Sequence, residues 1–496
     1  MFRFIENWMR SFVNEMVDKT VTRIVRDAYT ENLAEMFPTM QKVGGIHLME
    51  TAMRAHSGLP LSRPLGSPIH FSPWEKLLFN PVHLDRFPTP ENLPIDTAVT
   101  LGRRSKKPLT VAIPLLIAAM SFGGALSKSA KIALAKGASA VGTATNTGEA
   151  GLMEEEREAA RFLIGQYNRG GWLNHRDLYR RLDAVEIQLG QGAQGSAPQR
   201  TPASKIREDF RQVFHLDEGE DALIHSRLPE VNRKEEFIAL VRRLREETGV
   251  PVGLKLAATH YLERELAIAV EAGVDFITLD GAEGGTHGGA PTLQDDVGLP
   301  TLFAVSRAAD FLKRKGLFRE ISLIAAGGLI TPGQMLKAMA LGADAVYIGT
   351  VALMALVSDL AVESLPLEPP TSLLVYNGKL TDQLDIEKGA GNLIRFLNSA
   401  VREMELVAAS LGRTSLSHID KTDLVSLDPF LSLATGVEWG WLSSARQKEF
   451  PGWVMEYPFK PMPKPMPGIP EIHDVEEEER FTPFMDRFSA PQERGS

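Results

Sequence analysis

Along the middle of the chain, short strand-like runs alternate with segments whose apolar residues recur at helical spacing. Seven runs read as strands: Leu109–Met120, Ser139–Ala144, Ala184–Leu189, Val252–Ala257, Val274–Leu279, Ile321–Leu329 and Ala343–Thr350. Most are apolar almost throughout and several end in glycine or a small polar residue, as strands covered on both faces do. Helical patterns fall between them at about 124–137, 234–248, 260–272 and 301–315, and at Thr331–Leu341, opened by Thr-Pro and closed by Gly342. Repeated strand–helix alternation predicts a parallel α/β sheet, and a TIM (β/α)₈ barrel accounts for the count best. One more helix, at about 388–411, opens near Asp385, closes at Gly412 and should pack outside the barrel.

The flanks read differently. Residues 2–27 predict an amphipathic helix with Phe4, Trp8, Phe12, Met16, Ile5, Met9, Val13 and Val17 on one face, continued by Val21, Ile24 and Val25. Its polar face carries both signs of charge, which favours packing on the main domain or on a second subunit over lying on a membrane. Residues 56–108, rich in proline, read as an extended arm. Residues 190–233 are too long for an ordinary connection and predict an excursion over the barrel mouth. The tail from 456 is proline-rich and includes the acidic run Asp474–Arg480, so it should be extended or partly disordered. The expected organisation is an arm over 1–108, a barrel over 109–430 and a C-terminal extension over 431–496.

Composition narrows the function. With 44% hydrophobic and 24% charged residues the chain is an ordinary globular protein, and a net charge of −9 offers no broad cationic surface to nucleic acid. There is no cysteine. Disulfides, a thiolate nucleophile and cysteine-held zinc or iron–sulfur clusters are thereby excluded, and no metal site is expected. No apolar run is long enough to predict a transmembrane helix, and the N-terminus lacks a signal-peptide core; the cytoplasm is the expected location.

Candidate chemistry gathers at the C-terminal ends of the strands, where barrel active sites lie. Gly327-Gly328 and Gly349-Thr350 end two successive strands and would bring bare backbone N–H groups together as a seat for a phosphate, the place where flavin mononucleotide (FMN) sits in many barrels. This reading is favoured over glycines that merely turn the chain. Met120-Ser121 could meet the edge of a flavin ring, and Thr143–Glu149 is a cluster of hydroxyl, amide and carboxylate groups. Gln188, Gln191 and Gln194 follow the next strand. Lys255 inside a strand needs a compensating charge: the anion of a reduced flavin, or a barrel carboxylate such as Glu186 or Asp280. In the loop Gly284–Gly289, Gly285 and Thr286 can lie against a ligand, and His287 is either a proton donor or a histidine bonded to backbone.

Taken in order, Met120-Ser-Phe-Gly-Gly, Thr145–Gly151, Glu186–Ala193, Gly253–Leu256, Gly281–Thr286 and Ala326–Leu329 resemble the FMN-binding synthase domain of glutamate synthase, in particular its stand-alone large subunit-like members. The resemblance spans about 80–430. It implies that Met120, Ser121, Asn146, Gln191, Lys255, Gly285, Thr286, Gly327, Gly328, Gly349 and Thr350 surround FMN, with Glu149 facing the substrate above the ring. Glu149, Lys255 and Gln191 become the catalytic candidates, and Glu149, Gln188, Gln194, Lys205 and His287 the substrate candidates. The departures are specific. The stretch Val351–Leu360 has none of the cysteines that hold the family's cluster, and no glutaminase domain or catalytic cysteine is found. Two family lysines are replaced by Gln188 and Gln194, and a family arginine falls around Phe214 and His215. Arg200, Lys205, Arg207 or Arg211 would have to substitute as grips on a dicarboxylate.

The resemblance therefore implies an FMN-dependent oxidoreductase passing a hydride between flavin N5 and an imino or oxo acid, 2-oxoglutarate and glutamate by family. The alternatives are an FMN enzyme acting on another amino or hydroxy acid, and a flavin-bearing non-catalytic subunit. The partners expected are a small-molecule substrate and an electron-donor protein or ammonia-supplying subunit; a homo-oligomer is allowed.

Overall fold

The computed structural model describes residues 2–26, 61, 69–286, 288–358, 360 and 371–441. The tail from 456 and His287 lie outside the described residues. Eight parallel strands form the central sheet: β1 Leu115–Ile117, β2 Ala144–Asn146, β3 Phe162–Tyr167, β4 Ala184–Gln188, β5 Val252–Ala257, β6 Phe276–Asp280, β7 Ser322–Ala326 and β8 Ala345–Ile348. Their hydrogen-bonded order, β1-β8-β7-β6-β5-β4-β3-β2, brings β1 and β2 together as the two sides of a seam. Across it the Thr143 hydroxyl donates to the Leu115 carbonyl at 2.8 Å and Ala112 N–H to Gly142 O at 2.9 Å. The fold is the expected TIM barrel.

The longer helices are α1 Phe2–Arg26, α2 Lys128–Ala140, α3 Glu154–Ala159, α4 Glu208–Phe214, α5 Lys234–Thr248, α6 Leu262–Ala272, α7 Thr301–Arg314, α8 Pro332–Ala340, α9 Thr350–Leu356, α10 Ile386–Ser410 and α11 Pro429–Thr435. Their starts follow from local chemistry. Thr331 caps α8 in a capping box with Gln334, with Pro332 at the first position, and the Asp385 carboxylate accepts from the backbone of Glu387 and Lys388 at the head of α10. Along α1, the apolar Phe12, Val13, Met16, Val17 and Val21 are exposed. Among the described residues no helix is long and apolar enough to cross a membrane.

Three local readings are corrected. The run Leu109–Met120 is two elements, because Pro114, which has no N–H, interrupts it. Leu109–Val111 pairs antiparallel with Val99–Leu101, and β1 begins only at Leu115. Residues 139 and 140, read as the start of a strand, are the end of α2, which continues on Ala138-Ser-Ala with β2 starting at Ala144. The strand β3 was not expected at all.

The hairpin explains how the barrel is filled. Val99, Leu101, Leu109 and Val111 are buried against Leu116, Ala144, Ile164, Ala184, Phe276, Ile324 and Ala345, the inward residues at the lower ends of the strands. Because strand side chains alternate, the next inward positions up the barrel are Asn146, Gln166, Glu186, Lys255, Thr278 and Tyr347. The barrel is thus apolar below and polar above. The polar end is the C-terminal face.

Candidate active site

Glu186, on β4, is the centre of the polar layer. Its Oε1 accepts from Gln166 Nε2 at 2.8 Å and Asn146 Nδ2 at 3.1 Å, and its Oε2 from Thr278 Oγ1 at 2.7 Å. Asn146 Nδ2 also lies 3.1 Å from Tyr347 Oη, so one carboxylate ties β2, β3, β6 and β8. Burial, reinforced by Glu186, pushes the Tyr347 hydroxyl well above its ordinary range, so it stays protonated. Asn146, expected at the cofactor, is fully buried in this network, and its Oδ1 accepts from Gly148 N at 2.9 Å, shaping the loop that carries Glu149.

Lys255 has a protein partner. Its Nζ lies 3.0 Å from Asp280 Oδ2, both side chains being buried. Burial works against the ammonium, but Asp280 above all, then Glu186 and Glu149, hold its pKa above the ordinary value. Of the two compensations open in the sequence, the carboxylate is therefore present, while the lysine still stands at the mouth on β5.

Glu149, at the end of β2, faces a residue that sequence reasoning missed. Arg169, just beyond β3, is buried completely and makes a two-pronged contact: Nε to Glu149 Oε1 at 3.1 Å and Nη2 to Oε2 at 3.3 Å. Its Nη1, the Oδ1 of Asn168 and both amide atoms of Gln188 are buried without a hydrogen-bond partner among the described residues. Unbonded buried polar atoms are costly, and their collection at the ends of β3 and β4 marks where a polar ligand edge would complete the structure.

The opposite rim is built from glycine. Gly327 and Gly328 have φ of +105° and +68°, and a side chain on Gly328 would begin 2.5 Å from Glu283 Cβ. Glu283 is held in turn by Thr301, whose N–H and hydroxyl donate to it at 2.9 and 2.8 Å, and by the Ser72 hydroxyl of the arm. Gly349 and Gly285 look onto room: a Cβ on Gly349 would meet only Ala118 at 3.7 Å, and one on Gly285 nothing within 4 Å. Gly349, Thr350, Met120, Ser121 and Gln191 are half-buried, and Gly285 is exposed. Next to Gly285, the Thr286 hydroxyl donates to Gly288 O at 2.7 Å.

The remaining substrate candidates are less engaged. Gln194 is buried and bonded inside its own turn, accepting from Gln191 Nε2 at 2.9 Å and donating to Ala197 O at 3.2 Å. Lys205 is exposed. Arg200 pairs with Asp221 at 2.5 Å and Arg211 with Glu208 at 2.9 Å, while Arg207 stacks over the Tyr376 ring at 4.1 Å. The excursion that carries these cations does lie at the mouth: α4 packs Phe210 on Gly123 and the Val213 carbonyl on Gly151, and Gln199 donates to Gly288 O. Phe210, Phe214, Trp172, Phe122 and Tyr376 form a separate aromatic cluster beneath it.

A (β/α)₈ barrel with a sealed apolar floor, a charged upper layer and a glycine rim is the architecture of a small-molecule enzyme of the α/β class. The family described as the conserved region in glutamate synthase matches residues 83–414. The chain belongs to this family. It is 33% identical over 404 residues to a glutamate synthase large subunit-like protein of Rhizobium meliloti (strain 1021), covering 77% of this chain and 90% of the relative. To an archaeal-type glutamate synthase (NADPH) of Thermotoga maritima it is 33% identical over 326 residues, 65% of this chain. It spans 64% of that relative's length. Among solved structures it is similar to a flavocytochrome b2 variant with benzoylformate, at 17% identity and TM-score 0.46 over 81% of this chain and 84% of the other.

Proposed function

We propose that the chain is an FMN-dependent oxidoreductase of the glutamate synthase type, acting on the C–N or C–O bond of an amino or 2-oxo acid. What supports this best is the mouth itself: Gly285 and Gly349, two positions that the family resemblance assigns to flavin, look onto room, and polar atoms of Asn168, Arg169 and Gln188 at neighbouring strand ends are buried without partners. Gly327, Gly328, Gly349 and Thr350 would hold the phosphate, and Met120, Ser121 and Gln191 would meet the polar edge of the ring. Bound there, FMN supplies a hydride-carrying centre.

The protein groups divide the rest of the work. Lys255, balanced by Asp280, provides a fixed positive end at the mouth that favours negative charge arriving on the cofactor. Glu149, clamped by Arg169, presents a carboxylate whose position cannot drift and which can orient an amine, an imine or ammonia by accepting its hydrogen bonds. The aromatic cluster under α4 excludes water from that side. The dicarboxylate substrate, an electron donor and an ammonia-supplying subunit complete the proposal.

The test is the absorption spectrum of the purified chain and of the cofactor released from it by heat. A yellow protein yielding FMN, about one equivalent per chain for a single barrel site, agrees with the proposal. A correctly folded, colourless protein that takes up no added FMN overturns it.

A further inference from the structure

Lys131 lies on α2, on the outside of the barrel, yet it is 1% exposed. Its ammonium donates to two carbonyls, Met120 O at 2.8 Å and Asn146 O at 2.7 Å, and forms an ion pair with Glu156 Oε1 at 2.8 Å. Met120 follows β1 and Asn146 ends β2. Among the described residues no ladder joins these two strands, so the hydrogen bonds that fix every other neighbouring pair in the barrel are missing at this seam. Low in the seam the Thr143 hydroxyl and the Ala112 N–H bridge it. At the mouth the bridge is Lys131. There the two loops approach backbone to backbone, a Cβ on Gly148 falling 2.5 Å from Ser121 N.

We propose that Lys131 is a positioning residue for the flavin site, an inference that rests on the FMN reading above. Both peptide groups it grips belong to residues assigned to the cofactor, Met120-Ser121 on one side of the seam and Asn146 on the other. A single cation shared by the two carbonyls sets the distance between them in a way neither strand can do alone. It also polarises the Met120–Ser121 peptide, because a carbonyl that accepts from an ammonium makes the N–H of the same amide a stronger donor. Glu156, buried beside it, sets a counter-charge against the ammonium, so the device adds orientation and local polarity while limiting net charge at the rim.

A purely structural lysine would affect stability and leave bound flavin alone. The experiment therefore measures FMN dissociation constants by fluorescence quenching, together with the visible circular dichroism of the bound flavin, for the wild-type chain, Lys131→Met and Lys131→Met/Glu156→Gln. The double variant removes the carboxylate that the single one would leave buried and unpaired, so folding is retained if the single variant fails. The expected result is FMN binding weakened by about tenfold or more in the folded variants, with an altered flavin dichroism band. Lys131→Arg, which can still reach two carbonyls, should recover part of both. Variants that are less stable but bind FMN within about twofold of wild type, with the same dichroism, overturn the role of Lys131 and leave the flavin reading intact. A wild-type chain that binds no FMN overturns both.

Discussion

Arg169 grips Glu149 from the neighbouring strand end, Nε and Nη2 each facing one carboxylate oxygen at 3.1 and 3.3 Å, with the arginine wholly out of solvent. The arrangement makes the two residues interdependent. Removing the guanidinium leaves a buried carboxylate without its hydrogen-bonded cation, whereas removing both charges leaves a merely smaller packing defect.

Arg169→Met should therefore cost roughly 3–5 kcal/mol of unfolding free energy, measured by urea denaturation. Arg169→Met/Glu149→Gln should regain much of that loss. Glu149→Gln alone should bind FMN normally and turn over slowly. If the single and double Arg169 variants are equally unstable, the pair is packing and not charge compensation.

Lys255 and Asp280 should move the flavin potential in opposite directions. Lys255→Met removes the positive end and should lower the midpoint potential; Asp280→Asn unmasks it and should raise it. At about 30 mV per 1.4 kcal/mol for a two-electron couple, a change of even one such step is resolved by redox titration. Two unchanged potentials would confine the pair to a structural role.

The same lysine carries a pH signature. Its folded pKa is raised, burial being outweighed by Asp280, Glu186 and Glu149, so the stability it contributes is complete below the ordinary value of 10.5 and is lost as pH climbs through the folded one. The difference in stability between wild type and Lys255→Met should be flat from about pH 7 to about pH 10 and shrink beyond that. A difference that shrinks toward acid pH would place the effect on another group.

Gly328 and Gly285 make a contrast within one rim. At φ +68°, with Glu283 Cβ 2.5 Å from the would-be side chain, Gly328→Ala should cost about 1–3 kcal/mol and weaken FMN retention. Gly285→Ala meets nothing within 4 Å and should leave the apo chain within about 0.5 kcal/mol of wild type. Equal costs at both positions, by thermal or urea unfolding, would contradict the rim geometry.

The chain alone should make little glutamate from glutamine. It has no cysteine to act as a glutaminase nucleophile or to hold a relay cluster, and Gln188 and Gln194 stand where the resembling family has cations. Two lost charge-assisted contacts weaken 2-oxoglutarate by about two orders of magnitude or more. Gln188→Lys/Gln194→Lys should restore part of it in a binding titration. Rapid glutamate formation from glutamine with no added subunit would refute this reading of the site.

What was legible in the sequence, and what was not, divides along physical lines. Helices α5, α6, α7 and α10 announced themselves because amphipathic spacing and caps such as Asp385 are written within one segment. The glycine rim was legible for the same reason. Strand β3 was not, because Gly165 and Gln166 interrupt its apolar run. Missing β3 meant missing Arg169, which stands two residues past its end. Glu186 was visible only as one of two carboxylates that could balance Lys255. Its four-strand network depends on inward alternation in strands far apart in sequence, and no local pattern encodes that. Pro114 did mark a break in the first run, and taking it at face value would have separated the Val99–Val111 hairpin from the barrel.

That hairpin has a kinetic consequence. With Val99, Leu101, Leu109 and Val111 stoppering the lower end, the described residues leave the C-terminal face as the way in, and a small-molecule reductant and the acceptor that share it exclude one another. Traffic through a shared entrance enforces turn-taking. Initial-rate plots at several fixed concentrations of a small-molecule reductant should then run parallel, the pattern of a ping-pong exchange.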